Sequence, residues 1–233
     1  MKKLINFILI FSTILMFSSL VAALPNGATV TNLTSTHANT TSAGNNSAIA
    51  GNVTELSIDG YAITQSWQGY FGNVTGTIML ADNGDNIMYN WPLASPKGEI
   101  YAANASSVAW EGIQCYDEVA NMTFFESMFG ISTADADGLN ETFNLNDHAE
   151  FFTNNKQFTS GQCNSTKLYN SVGIGTFDEV LLTDGPSIVF ASLLLEDADG
   201  FDSKPHDFEM MVLENGHGVD TDPTTYYFWV ELE

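Results

Sequence analysis

The stretch from Ser66 to Leu80, Ser-Trp-Gln-Gly-Tyr-Phe-Gly-Asn-Val-Thr-Gly-Thr-Ile-Met-Leu, constrains the fold more than any other part of the chain. Aromatic and β-branched side chains dominate it, and glycines stand where a strand kinks or bulges. From Val74 onward polar and apolar residues alternate. Val74, Ile78 and Leu80 share one face, and Asn73, Thr75 and Thr77 share the other. Asn73-Val74-Thr75 is an N-glycosylation sequon, so the strand would turn a sugar acceptor to water and apolar side chains to a core. The spacing predicts one continuous central strand of an extracellular antiparallel sheet.

Short strands flank this stretch on both sides. Residues 56–60 and 61–67 read as the first two. After the turn at Asp82-Asn83-Gly84-Asp85, Ile87 to Trp91 pairs back and Pro92 stops it. Ser95-Pro96-Lys97-Gly98 carries Pro and Gly where type I turns favour them, and Glu99 to Ala103 follows as a strand. Residues 111–129 fit either a short helix packed on the sheet or a loop and strand. The C-terminal third returns to strands over 177–183, 187–195, 208–213 and 224–232. Within the last of these, Tyr226, Phe228, Val230 and Leu232 share a face. Nine or ten short strands with regular turns predict an all-β antiparallel β-sandwich, immunoglobulin-like or jelly-roll-like. A meander barrel is the structural alternative.

The N-terminus reads as a leader. Lys2 and Lys3 precede an apolar run to Leu24, and Val21-Ala22-Ala23 supplies a small-residue cleavage site, so residues 1–23 are expected to be a signal peptide. An uncleaved membrane anchor is the other reading. A type IV pilin leader fits poorly, with no Glu near the start of the apolar run. Beyond residue 23 the chain keeps four lysines, no arginine and 28 acidic residues. That surface repels phosphate backbones and argues against a nucleic-acid partner. In an exported chain the two cysteines, Cys115 and Cys163, are expected to form a disulfide.

Residues 24–54 form a distinct region. They hold ten Ser/Thr and no charged residue in a chain whose net charge is −22. The composition suits a glycosylated flexible linker. It also suits an extended arm that pairs with a sheet edge of a neighbouring subunit, for which β-branched Val30, Thr31, Thr34 and Thr36 are apt. The expected organisation is therefore a signal peptide (1–23), a Ser/Thr/Asn-rich arm (24–54) and a β-sandwich domain (55–233).

Sequons are the strongest chemical signal. They begin at Asn32, Asn39, Asn45, Asn52, Asn73, Asn104, Asn121, Asn140 and Asn164, nine of 21 asparagines. Their acceptor chemistry is used only after export. Acidic turns come next: Asp82 to Asp85, Asp135 to Gly138, and Glu196 to Asp202, where Asp197, Asp199 and Asp202 are candidate ligands for a structural calcium. No other cofactor is suggested. His37, His148, His206 and His217 are scattered, with neither a metalloprotease H-E-x-x-H nor a G-x-S-x-G elbow, so no catalytic residue is nominated. Trp67 and Phe71 either stack on sugars from the Asn73 face or turn back into the core.

The blocks Asn52 to Leu56, Trp67 to Gly76, Ser95 to Ala102 and Tyr226 to Glu233 together resemble a family of secreted, sequon-rich archaeal proteins of glycosylated, pilin-like surface filaments. The resemblance covers roughly residues 50–233 and implies a β-rich, N-glycosylated subunit that assembles head to tail. The expectation is a structural, non-enzymatic subunit at the cell surface or outside it, whose partners are other copies of itself and covalent glycans. No membrane contact is expected once the leader is removed. A monomeric carbohydrate-binding or adhesion module on a glycosylated stalk is the alternative.

Overall fold

The computed structural model describes residues 24–116, 119–214 and 223–232, so the expected signal peptide, most of the loop after Glu214, and His217 lie outside the described residues. The strands are β1 (Asn26–Gly27), β2 (Trp67–Gly72), β3 (Gly76–Ala81), β4 (Ile87–Leu93), β5 (Gly98–Ala103), β6 (Gln114–Cys115), β7 (Phe151–Thr153), β8 (Lys156–Phe158), β9 (Ser165–Tyr169), β10 (Gly175–Thr183), β11 (Ile188–Leu193), β12 (Ala198–Asp199), β13 (Pro205–His206), β14 (Phe208–Leu213) and β15 (Tyr227–Leu232). Two helices, α1 (Val119–Met128) and α2 (Leu139–Thr142), lie between β6 and β7. The fold is all-β, and every strand pairing is antiparallel.

The main sheet runs β1-β15-β5-β11-β10, and β6 and β9 follow one another along the outer edge of β10. It is buried on both faces. Ile100, Ala102, Leu181 and Phe190 meet Met210 and Val212 of β14 together with Met122 and Phe125 of α1. On the opposite face Tyr101, Ala103, Val180, Leu182, Val189 and Ala191 pack with Ile113, Phe151 and Phe158. Double burial explains why Val180-Leu181-Leu182 and Ile188-Val189-Phe190-Ala191 are unbroken apolar runs. Each such fully buried large side chain stabilises the fold by roughly 1.5–3 kcal/mol. Tyr226, Phe228 and Val230 pack on the first of these clusters, as their shared face predicted, while Trp229 packs on the second.

The anchoring stretch differs from its expected form. Residues 66–80 make two strands in two sheets: β2 pairs with β14, and β3 pairs with β4. The physical reason is Asp207. Its carboxylate accepts the Val74 N–H at 2.7 Å, and its own N–H donates to the Gly72 carbonyl at 2.9 Å. Those bonds take the backbone groups that a continuing strand would have given to a neighbour. Of the two strands expected over 56–60 and 61–67, none forms before Trp67, where the first long strand starts. β4 also runs through Pro92 to Leu93. It is an edge strand, where a missing N–H costs no ladder bond. Between β6 and β7 the helical alternative is the one found, as α1.

Candidate functional site

The expected arm extends further than its composition marked. Only Asn26 and Gly27 belong to a strand, pairing with Val230 and Trp229 on the outer edge of β15. The Ala28 N–H adds one bond to the Phe228 carbonyl at 3.0 Å. From there to Gln65 the chain contains no strand or helix and is exposed almost throughout. Its contact with the folded domain includes a hydrogen bond from the Thr64 hydroxyl to Asp137 at 2.6 Å. Val30, Leu33, Ile49, Val53, Leu56, Ile58 and Tyr61 are all exposed. A Ser/Thr/Asn-rich segment of this length, with no charge before Glu55, is held to its own domain chiefly at its ends.

A second unpartnered element is the β3–β4 hairpin. Among the described residues it forms a sheet of its own with two open edges. Register pairs Ile78 with Trp91 and Leu80 with Tyr89, which places these four side chains on one face. All are between 46% and 58% exposed, and the Tyr89 and Trp91 rings stand 4.8 Å apart. The expected dry face of Ile78 and Leu80 is thus apolar but exposed, as are Met79 and Met88 beside it. Only the tip is charged: Asp82 accepts from the Gly84 and Asn86 N–H groups, each at 2.9 Å, and closes the turn. Hydrogen bonds from Asn86 and Gly84 hold its exposed carboxyl below the ordinary carboxylate value.

The sequons distribute unevenly. Asn32, Asn39, Asn45 and Asn52 all lie on the exposed arm, and Asn73 is exposed just after β2. Asn104, Asn140 and Asn164 are half-buried, with the Asn164 side chain accepting from Asn146 at 3.3 Å. The side chain of Asn121 lies outside the described residues. Cys115 and Cys163 form the expected disulfide. It joins β6 to the segment entering β9, the two pieces that line the edge of β10. Behind it, buried His148 accepts the Cys163 N–H on Nε2 at 2.9 Å, and its Nδ1 lies 2.7 Å from the Ala149 carbonyl.

The three calcium candidates do not converge. The Asp197 N–H donates to Asp207 at 3.0 Å, Asp199 sits in β12 opposite Pro205, and Asp202 engages His206 at 2.8 Å and Lys204 at 3.0 Å. Among the described residues no group of three His, Cys, Asp or Glu side chains is placed to hold a metal ion. The 196–207 loop is instead closed by its own bonds. Glu209 accepts the Phe201 N–H at 2.9 Å, and its carboxyl is pushed up by burial, with that bond opposing the shift. Asp202 is moved the other way. Burial opposes the change, but bonds from Lys204 and His206 hold it below the ordinary value. Ser203, His206 and Asp207 do not form a triad: the His206 Nε2 pairs with Asp202, and the Asp207 carboxylate accepts the backbone N–H groups of Val74 and Asp197.

Trp67 and Phe71 separate. The Trp67 ring packs on Phe143 and Phe190 at 6.0 and 6.3 Å, and its Nε1–H donates to the Asp137 carbonyl at 2.6 Å. Phe71 stays 41% exposed and stands edge-on to Phe201 at 4.9 Å. The hairpin itself was expected, with Ile87 to Trp91 pairing back after the Asp82 to Asp85 turn; what sequence reasoning missed is that its apolar side chains are exposed. The apolar face was present in the alternation of Ile78 and Leu80, but nothing in the sequence said which side that face would meet.

No helix among the described residues is long and apolar enough to cross a membrane. No family model matches the chain, and neither the curated proteins nor the solved structures contain a significant match.

Proposed function

We propose that this chain is a structural subunit of an extracellular, N-glycosylated filament, polymerising when the N-terminal arm of one subunit inserts into the next. The observation that carries the reading is the state of the arm. It is uncharged over 24–54, exposes Val30, Leu33, Ile49 and Val53, and touches its own sheet as a strand only at Asn26 and Gly27. Those two residues leave most of the outer edge of β15, which runs from Tyr227 to Leu232, without a strand partner among the described residues. An edge of that kind accepts a strand from another chain through backbone bonds alone. Exchange of the same short strand between copies is a contact that propagates head to tail.

The charge distribution favours the same geometry. Two copies each carrying −22 repel over most of their surfaces, and an uncharged arm is a route by which they can meet. Sequons on the arm and at Asn73 would clothe the outside of such a polymer in sugar. The carbohydrate-binding alternative is weakened at one of its two ring candidates, because Trp67 is partly buried and packs against the core. Deletion of residues 25–54 from the secreted protein tests the proposal. Imaging is expected to show filaments from the full chain and isolated globules from the deletion. Unchanged filaments overturn the reading.

A further inference from the structure

We infer that the face of the β3–β4 hairpin carrying Ile78, Leu80, Tyr89 and Trp91 is a subunit-contact site, and that its occupant is the arm-root segment 53–63 of a second copy of this chain. The inference rests on the filament reading and names a surface that reading leaves open. The hairpin needs a cover for physical reasons. A two-stranded ribbon is marginally stable alone in water, and this one exposes Ile78, Leu80, Tyr89 and Trp91 together on one face.

Charge and glycosylation narrow the choice of occupant. The strands of the hairpin carry no charge, and their acids, Asp82 and Asp85, are confined to the turn. On a chain of net charge −22 this makes the face one of the few places where a second copy can approach without repulsion. It is also free of sugar acceptors, since no sequon begins between Thr75 and Ala103. The arm has a matching piece. Four sequons decorate it up to Asn52, whereas residues 53–63 hold none and present Val53, Leu56, Ile58 and Tyr61 to solvent. Leu56 and Ile58 are two apart, the spacing that puts both on one side of an added strand and turns the segment's two acids, Glu55 and Asp59, to the other. The segment is long enough to cover strands of six and seven residues. A lipid surface is the competing occupant, and the acidic hairpin tip counts against it.

Two single-cysteine variants of the full secreted chain, Ile58→Cys and Leu80→Cys, are mixed under mild oxidation and run without reducing agent. A mixed dimer absent from either variant alone is the expected result. Filaments by imaging with no mixed dimer overturn this contact and leave arm-driven assembly standing. Unchanged filaments on deleting 25–54 with the mixed dimer retained would show the reverse. As an independent measure, Leu80→Asp with Tyr89→Asp is expected to raise the concentration needed for assembly at least tenfold while the near-ultraviolet circular dichroism stays unchanged. Assembly at the unaltered concentration overturns the inference, as does sedimentation of the full chain with neutral or anionic vesicles that the Asp pair abolishes.

Discussion

Glu231 lies directly across from Glu99 on the neighbouring strand, both are buried, and the Tyr101 hydroxyl stands 3.0 Å from the first carboxylate and 3.4 Å from the second. The Asn154 N–H donates to both oxygens of Glu231, at 3.2 and 3.1 Å, and the Thr153 hydroxyl is 3.0 Å from the Tyr101 oxygen. Two acids on adjacent strands are thus held beside one phenol at the centre of the main sheet.

Tyr101→Phe is therefore expected to lower stability by roughly 1–3 kcal/mol, since it removes a donor from buried acceptors and leaves the ring in place. Urea denaturation checks this. Alkaline titration adds a second readout. Burial first, then the charges of Glu99 and Glu231, push the Tyr101 phenol well above its ordinary value. A folded value raised in this way contributes stability that is full below the ordinary tyrosine pKa of about 10 and is lost as pH rises through the folded value. The wild type should lose stability in that window, and Tyr101→Phe should lose less.

Local pattern carried much of the fold because the buried strands are chemically unlike their turns. Phe208 to Leu213 has the bounds expected of it, and Phe177 to Thr183 lies wholly within β10. The break at Asn73 was not legible, because its cause, Asp207, is 133 positions from Val74. Residues 53–65 show the converse. Leu56 and Ile58 have strand periodicity, yet periodicity describes a face and not a partner, and within the described chain this face has none. The disulfide was legible from cysteine number alone. Its role in pinning β6 beside β9 depends on which strands meet β10, which is long-range information.

Glu179 is fully buried on β10 and accepts the Met211 N–H on both oxygens, at 3.1 and 3.0 Å. Burial raises its carboxyl well above the ordinary value, and the Met211 bond offsets only part of this. An acid raised by folding contributes stability that is full below its unfolded pKa, about 4.3, and is lost as pH rises through the folded value. Glu179→Gln should therefore flatten the decline in thermal stability above about pH 4 and leave the neutral protein about 1 kcal/mol or more stabler. A melting-temperature profile parallel to the wild type would rule Glu179 out as the source.

Removing the crosslink is expected to cost more. Cys115 and Cys163 are 48 positions apart, and loop-closure entropy gives roughly 3–4 kcal/mol for such a span. β6 meets β10 at only two register pairs, Leu182 with Cys115 and Thr183 with Gln114. The paired replacement Cys115→Ala with Cys163→Ala should lower the urea midpoint accordingly. It should also speed amide exchange at Cys115 and Tyr116 before the rest of the sheet. Uniform exchange across β6, β10 and β11 would mean that the bond stabilises the domain only globally.

Trp67 and Phe71 are neighbours on β2 with different loads, and replacing each separates packing from recognition. Trp67 gives its ring to Phe143 and Phe190 and its N–H to the Asp137 carbonyl, so Trp67→Ala removes both a large, partly buried ring packed on the core and a donor. The expected loss is roughly 3–5 kcal/mol. Phe71 is half-exposed against Phe201 and lies 4.8 Å from the His206 ring, so Phe71→Ala should cost about 1 kcal/mol. A module that binds sugars through this strand would lose retention on a glycan column in Phe71→Ala with its stability nearly intact. A structural subunit shows the opposite: stability falls in the order Trp67→Ala, then Phe71→Ala, and sugar retention changes in neither. Denaturation and affinity chromatography on the same two proteins decide between them.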